Sequence, residues 1–163
     1  MPKCRAQQFI LVIDDNPADR ELMRRRLRDC GVVVELVNNG KDALEFLGVD
    51  DSDACGKEPP DLILVDLNMP VVDGKQFMRE YRGTTAGQRV PIVVFTSSDN
   101  VADVVESYDA GASSYVVKPT DLEPFRSTLD AVIRYWLEVS MPYGTGRHAE
   151  SPGRAATGTT RIG

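Results

Sequence analysis

The chain predicts an α/β fold, a five-stranded parallel sheet doubly wound with five helices in the order 2-1-3-4-5. Three observations lead there. Short apolar runs alternate along the chain with segments whose apolar residues recur at helical spacing. The run 62–65, Leu-Ile-Leu-Val, is continuously apolar, as a strand buried on both faces must be. The strand-like runs end in polar residues, Asp14-Asp15, Asp66, Thr96 and Lys118, which right-handed crossovers bring to one rim of the sheet.

Each element has a local reason. Residues 9–13 form the first strand, and Asn16-Pro17 caps and opens a helix, with Asp19 helping at its start. Leu22, Met23 and Leu27 give that helix an apolar face to about Cys30, and Gly31 stops it. Residues 32–37 form the second strand. Asn38-Asn39-Gly40 turns the chain into a helix over 41–47 that buries Ala43, Leu44 and Leu47. Residues 48–60 are polar, with Gly and a Pro pair, and read as a surface loop.

The third strand runs from Leu62 to Asp66, and Pro70 and Asp73-Gly74 mark a structured loop after it. A helix over about 74–81 turns Phe77 and Met78 inward. Pro91 opens the fourth strand, 92–95, which ends in Thr96-Ser97-Ser98. A helix over about 100–110 carries Val101, Val104, Val105 and Tyr108 and ends at Gly111. The fifth strand is residues 114–117, followed by Lys118-Pro119. Thr120 and Glu123 read as a capping box for a last helix lined by Leu122, Phe125, Leu129, Val132, Ile133, Trp136 and Leu137, with Pro142 at its limit. One domain over 1–142 is expected, with a disordered tail over 143–163.

Composition narrows the function. With 42% hydrophobic and 27% charged residues the chain is an ordinary globular one. A net charge of −6 argues against nucleic acid, and Arg24-Arg25-Arg26 reads as a solvated helix face. No stretch approaches the roughly 20 apolar residues that span a bilayer, and residues 1–8 are too short and polar for a signal peptide. Cys4, Cys30 and Cys55 lack metal-site spacing and read as reduced thiols, so a cytoplasmic location is expected.

Asp14, Asp15 and Asp66 at one rim repel one another unless a proton or a cation intervenes. Carboxylate oxygens suit a hard divalent ion such as Mg²⁺, which also accepts phosphate oxygens. A carboxylate also attacks phosphorus to give an aspartyl phosphate, and such transfer needs a cation on the phosphoryl oxygens. Lys118 is placed for that, and the Thr96 hydroxyl could bond a phosphoryl oxygen. Taken singly, Asp14-Asp15 read as turn acids, Thr96 as a helix cap and Lys118 as a surface lysine; their convergence points to chemistry.

Asp14-Asp15, Asp66-Leu67-Asn68-Met69-Pro70 with Asp73-Gly74, Thr96-Ser97 and Lys118-Pro119, in this order over about residues 8–140, resemble the receiver domains of two-component response regulators. The resemblance implies Asp66 as phosphoacceptor. It implies Mg²⁺ held by Asp15, Asp66 and the backbone carbonyl of Asn68, with Asp14 helping through water. It further implies Thr96 as switch hydroxyl, Tyr115 as the aromatic that follows it, and Lys118 on the phosphoryl group across a cis bond to Pro119.

Asp14 to Asp19, the long loop before the third strand, Ser107 to Ala112 and Tyr135-Trp136-Leu137 are similar to single-domain regulators partnered with bacterial phytochrome kinases. The expected function is therefore signalling and not catalysis. With its only histidine, His148, in the tail and not on a helix, the chain is expected to take phosphate from another protein or a small donor, and the resemblance implies a sensor histidine kinase. The output would be binding to a downstream or phosphotransfer protein, or to a second copy as a homodimer, since no output domain is expected after Pro142. Two alternatives share the fold. A haloacid-dehalogenase-type phosphatase also uses an Asp nucleophile, but needs a second acid where this chain has Asn68, and a cap domain. A flavodoxin-type flavin binder needs a Thr/Ser/Gly-rich phosphate loop where this chain has Asp14-Asp15-Asn16-Pro17.

Overall fold

The computed structural model describes residues 7–49 and 58–141. Five strands alternate with five helices: β1 Phe9–Ile13, α1 Pro17–Asp29, β2 Val33–Val37, α2 Gly40–Phe46, β3 Leu62–Val65, α3 Gly74–Arg82, β4 Ile92–Thr96, α4 Val101–Asp109, β5 Ser114–Val117 and α5 Leu122–Arg134. The sheet is parallel throughout, in the order β2-β1-β3-β4-β5. The expected fold class, order and element sequence are all observed. Expectations for residues 1–6, 50–57 and 142–163, including Cys4, Cys55 and the tail, lie outside the described residues.

Strand side chains divide by alternation. Leu11, Ile13, Ile63, Val65, Ile92 and Val94 face one layer, where they meet Ala43, Leu44, Phe77, Met78 and Tyr81 of α2 and α3. Ile10, Val12, Leu62, Leu64, Val93 and Phe95 face the other, against Met23 and Leu27 of α1 and Phe125, Leu129 and Ile133 of α5. Continuous apolar strands are thus explained by two covered faces. β1 and β3 end level, Ile13 beside Val65, and β4 and β5 end level, Thr96 beside Val117, so the residues that follow are presented at one rim.

Helix starts follow side-chain chemistry. Asn16 accepts hydrogen bonds from the N–H of Ala18 and Asp19, Asn39 from Asp42, Asp73 from Gln76 and Asn100 from Ala102. Gly31 and Gly111 follow α1 and α4 at φ of 73° and 106°, where a Cβ would be strained.

Two expectations, both at α5, are corrected. The N-cap of α5 is Asp121 and makes no side-chain cap bond; Glu123 reaches Arg126 at 3.0 Å instead of closing a box with Thr120. The helix starts one residue too late for that box. Its apolar face then continues through a π-helical turn, Tyr135–Val139, tied down by a bond from Gln8 Nε2 to the Leu137 carbonyl at 2.9 Å. Leu122 does not join the face, being 46% exposed. On α4, Val101, Val105 and Tyr108 point outward, while Ser107 is buried.

Candidate phosphoacceptor site

Asp14 and Asp15 follow β1, and Asp66 follows β3, its N–H donating to the Ile13 carbonyl at 2.9 Å. The sheet ladder therefore continues into the acids and sets their spacing. One carboxylate oxygen from each of Asp14, Asp15 and Asp66 lies within 4.8 Å of the others. Asp14 is buried, Asp66 is 8% exposed and Asp15 faces solvent.

Lys118 enters from the end of β5. Its N–H donates to the Thr96 carbonyl at 2.7 Å, extending the β4–β5 pairing by one residue. Its Nζ donates to Asp14 Oδ2 at 2.6 Å, Asp19 Oδ2 at 2.9 Å and Asp66 Oδ2 at 3.0 Å. Burial draws the Lys118 pKa down, and the charges of Asp14 and Asp66 with the bonds to Asp14 and Asp19 more than reverse it, so the ammonium stays protonated. Burial raises the Asp14 carboxyl against the pull of Lys118. One lysine therefore leaves the cluster short of positive charge.

The other oxygens are held in place. Asp66 Oδ1 accepts from the Leu67 N–H at 2.7 Å, and Asp14 Oδ1 from the Asn16 N–H at 2.9 Å. Arg20 Nη1 donates to the Asp14 carbonyl at 2.7 Å. Beside the acids is an open pocket of about 390 Å³ walled by Asp15, Asn68, Pro70 and Lys75. Clustered hard oxygens, a charge deficit and an open side fit a divalent cation of the Mg²⁺ type.

The loop after Asp66 is shaped by backbone proximity. A Cβ on Gly74 would lie 2.3 Å from the Asp66 carbonyl oxygen, so only glycine lets α3 start there. Val71 sits at φ 71°, an outlier for a β-branched residue, and is 75% exposed.

Thr96 is fully buried at the end of β4, and its Oγ1 receives only a long contact, 3.5 Å, from the Ser98 N–H. Half-buried Tyr115 donates its hydroxyl to the Ser98 carbonyl at 2.8 Å. Both expected switch residues therefore meet at Ser98. Pro119 corrects what the resemblance implied: among the described residues no peptide bond is cis. The β4–β5 ladder carries Lys118 to the acids with the following bond trans.

Four residues near the site escaped the sequence reading. Asp19, taken only as a helix-start acid, is a third carboxylate on Lys118. Arg20 adds a second cation at the rim. Lys75 Nζ donates to Asp103 Oδ1 at 2.7 Å and also to Glu106, joining α3 to α4. Ser98 Oγ donates to Asp103 Oδ2 at 2.6 Å. The Lys75 and Ser98 bonds hold the Asp103 carboxyl below its usual range. Asp19 carried a local signal, since an acid in the first turn follows the strand-one acids on the same rim; Lys75 and Ser98 carried none.

With this geometry in hand, the chain belongs to the response regulator receiver domain family, whose model matches residues 10–130. It is 39% identical over 125 residues to the response regulator MprA of Mycobacterium tuberculosis, a match that covers 77% of this chain and 50% of that protein. The chain spans about half the length of the curated relatives it matches. Among solved structures it resembles the phosphorylated cyanobacterial phytochrome response regulator RcpA, with TM-score 0.78 and 28% identity over 85% of this chain and 99% of that one. It also resembles the receiver domain of the sensor histidine kinase PA1611 from Pseudomonas aeruginosa PAO1, solved with magnesium in its active-site cleft; the TM-score is 0.67 and the identity 31%, over 80% of this chain and 98% of that one. Receiver domains are in general signalling rather than catalytic modules, phosphorylated by histidine kinases. Nothing in these matches supports the haloacid-dehalogenase alternative.

Proposed function

We propose that Asp66 accepts a phosphoryl group from a sensor histidine kinase and that the added charge changes which protein this chain binds. The observation that carries this reading is the placement of the Asp66 carboxylate, nearly buried, with one oxygen on Lys118 and the rest of the acid cluster beside it.

The transfer uses this chain's residues as follows. The kinase phosphohistidine presents its phosphorus to an Asp66 oxygen. The new P–O bond forms as the P–N bond breaks, and the electron pair returns to the histidine nitrogen. Lys118 stays protonated and turns the donor now on Asp66 Oδ2 towards a phosphoryl oxygen. Asp15, Asp66 and the Asn68 carbonyl would hold Mg²⁺, with Asp14 assisting, and the ion would neutralise phosphoryl charge. Thr96 would bond another phosphoryl oxygen. Moving Thr96 alters its contact with Ser98, and Tyr115 and Asp103 hold that same residue, so the change reaches α4 and β5.

Val101, Val105 and Tyr108 on α4, Val117 on β5 and Leu122 on α5 are exposed apolar side chains that would serve as the output face. That face suits a downstream or phosphotransfer protein, or a second copy. A phytochrome-type kinase as donor is supported by the likeness to RcpA. The chain would act in the cytoplasm, as a binding module and not an enzyme, with protein partners in place of nucleic acid or membrane. Among the described residues no helix is long and apolar enough to cross a membrane.

Intact mass after incubation with acetyl phosphate and MgCl₂ tests the reading. One phosphoryl group is expected on the native chain and none on Asp66→Asn. Equal uptake by both would overturn Asp66 as acceptor; uptake by neither, with phosphohistidine kinase as donor as well, would overturn the receiver chemistry.

A further inference from the structure

A lysine ammonium has three N–H donors. Lys118 spends all of them on carboxylates, and its side chain is only 6% exposed. Two acceptors, Asp14 and Asp66, belong to the acid cluster that suits a divalent ion; the third, Asp19, does not. Asp19 is fixed independently of that cluster. It lies in the first turn of α1, with its N–H on Asn16 Oδ1 at 3.3 Å and Pro17 opening the helix. Its side chain is 23% exposed where that of Asp14 is 2%.

Ammonium and divalent ion compete for the same oxygens. Every donor that Lys118 directs at Asp19 is one that it does not direct at Asp14 or Asp66. We infer that Asp19 is a positioning residue. By accepting one of the three Lys118 donors it holds the ammonium beside the phosphoacceptor and limits it to one bond each to Asp14 and Asp66, so that the ammonium does not close over their oxygens against the cation. When the divalent ion and a phosphoryl group claim Asp14 and Asp66, Asp19 is the acceptor that remains, so Lys118 keeps its place while one donor swings to the phosphoryl oxygen. Neutralising Asp19 turns the ammonium onto the two cluster acids and sets it against the metal. The phosphoryl part of this inference rests on the receiver function proposed above; the metal part does not.

The test is Mg²⁺ titration of the whole chain by calorimetry, paired with the rate of phosphoryl uptake from acetyl phosphate at several Mg²⁺ concentrations. Asp19→Asn is expected to raise the Mg²⁺ Kd about fivefold, the size of effect a unit charge has at about 4 Å when screened as in water. Uptake should slow by a similar factor at low Mg²⁺ and approach the native rate at saturation. Asp19→Glu should return the Kd to within about twofold of native. In a Lys118→Met background, Asp19→Asn should leave the Kd unchanged, because the group it acts through is gone. An unchanged Kd in the native background overturns the inference. So does the same fivefold change in both backgrounds, which would make Asp19 a remote charge only. If the native chain binds Mg²⁺ as expected yet takes up no phosphoryl group from any donor, the proposed function fails while the metal result still judges Asp19.

Discussion

Two part-enclosed cations hold opposite ends of the sheet, and they are solvated in opposite ways. At the carboxyl ends of the strands, Lys118 is surrounded by carboxylates and its pKa is raised. At the other end, Arg82 closes α3 onto the starts of β4 and β5. Its Nε donates to the Gly111 carbonyl at 2.9 Å, Nη1 to the carbonyls of Val90 at 2.6 Å and of Gly87, and Nη2 to Ser113 Oγ at 3.3 Å. All its acceptors are neutral, and burial lowers its pKa. A planar guanidinium serves several fixed carbonyls at once, which a lysine cannot. The arginine is a staple on neutral partners, one of which, Ser113 Oγ, also accepts from the Ile92 N–H at 3.1 Å. The lysine is one member of an over-charged cluster whose partners suit a second cation. Each end also has a glycine against a carbonyl: a Cβ would sit 2.3 Å from Asp66 O at Gly74 and 1.8 Å from Tyr81 O at Gly87.

The sharpest way to break this comparison is to remove each cation. Lys118→Met is expected to cost about 3–5 kcal/mol of stability in metal-free buffer, because it leaves buried carboxylates unpaired. Millimolar Mg²⁺ should recover much of that loss. Arg82→Met is expected to cost about 2–3 kcal/mol, leaving three carbonyls without their donor, with no recovery by Mg²⁺. Urea unfolding with and without MgCl₂ reads both; equal metal rescue would erase the distinction.

Gly74→Ala should cost about 2–3 kcal/mol, since a backbone contact at that distance forces α3 away from the Asp66 loop. Its Mg²⁺ affinity should fall as well. Gly87→Ala should lose comparable stability but bind Mg²⁺ normally in the folded state. Calorimetric titration separates the two.

Asp14→Asn should go the other way and stabilise the metal-free fold at pH 7, by less than either cation removal costs. The sign follows from its raised pKa. The folded state binds the Asp14 proton more readily than the unfolded chain does, so ionisation above that pKa costs stability. The advantage of the variant should therefore shrink as the pH falls through the raised pKa, and vanish below the ordinary 3.8. Thermal unfolding across pH 3–7 checks it; a constant or growing advantage towards acid would contradict the charge-deficit account.

The smallest effect belongs to Tyr81, at the arginine end. Its hydroxyl is buried with no partner among the described residues, and burial pushes its pKa up to about 12. Tyr81→Phe should change stability by less than about 0.5 kcal/mol or raise it slightly, because no hydrogen bond is lost. A loss above 1 kcal/mol would show that the hydroxyl has a partner.

The chain itself determined the elements and the rim, for reasons local to the backbone. Continuous apolar runs such as Leu62–Val65 have only one use in a chain of this kind, a strand covered on both faces. Polar residues directly after such runs must emerge at its edge, so Asp14, Asp15, Asp66 and Lys118 could be grouped before any coordinates. Asn16, Asn39, Asp73 and Asn100 capped their helices as their chemistry requires, except that a one-residue shift at α5 gave the start to Asp121 and undid the Thr120–Glu123 box. What tertiary structure alone decided is which side chain takes each remaining bond. Asp19 meets Lys118 across 99 residues of chain, and Arg26 pairs with Asp130 across 104. Lys75 reaches Asp103, and Tyr115 reaches the Ser98 carbonyl. Such partners depend on how helices seat on the sheet to within an ångström, and hydrophobic periodicity specifies which face a helix buries but not where along the sheet its polar side chains come to rest.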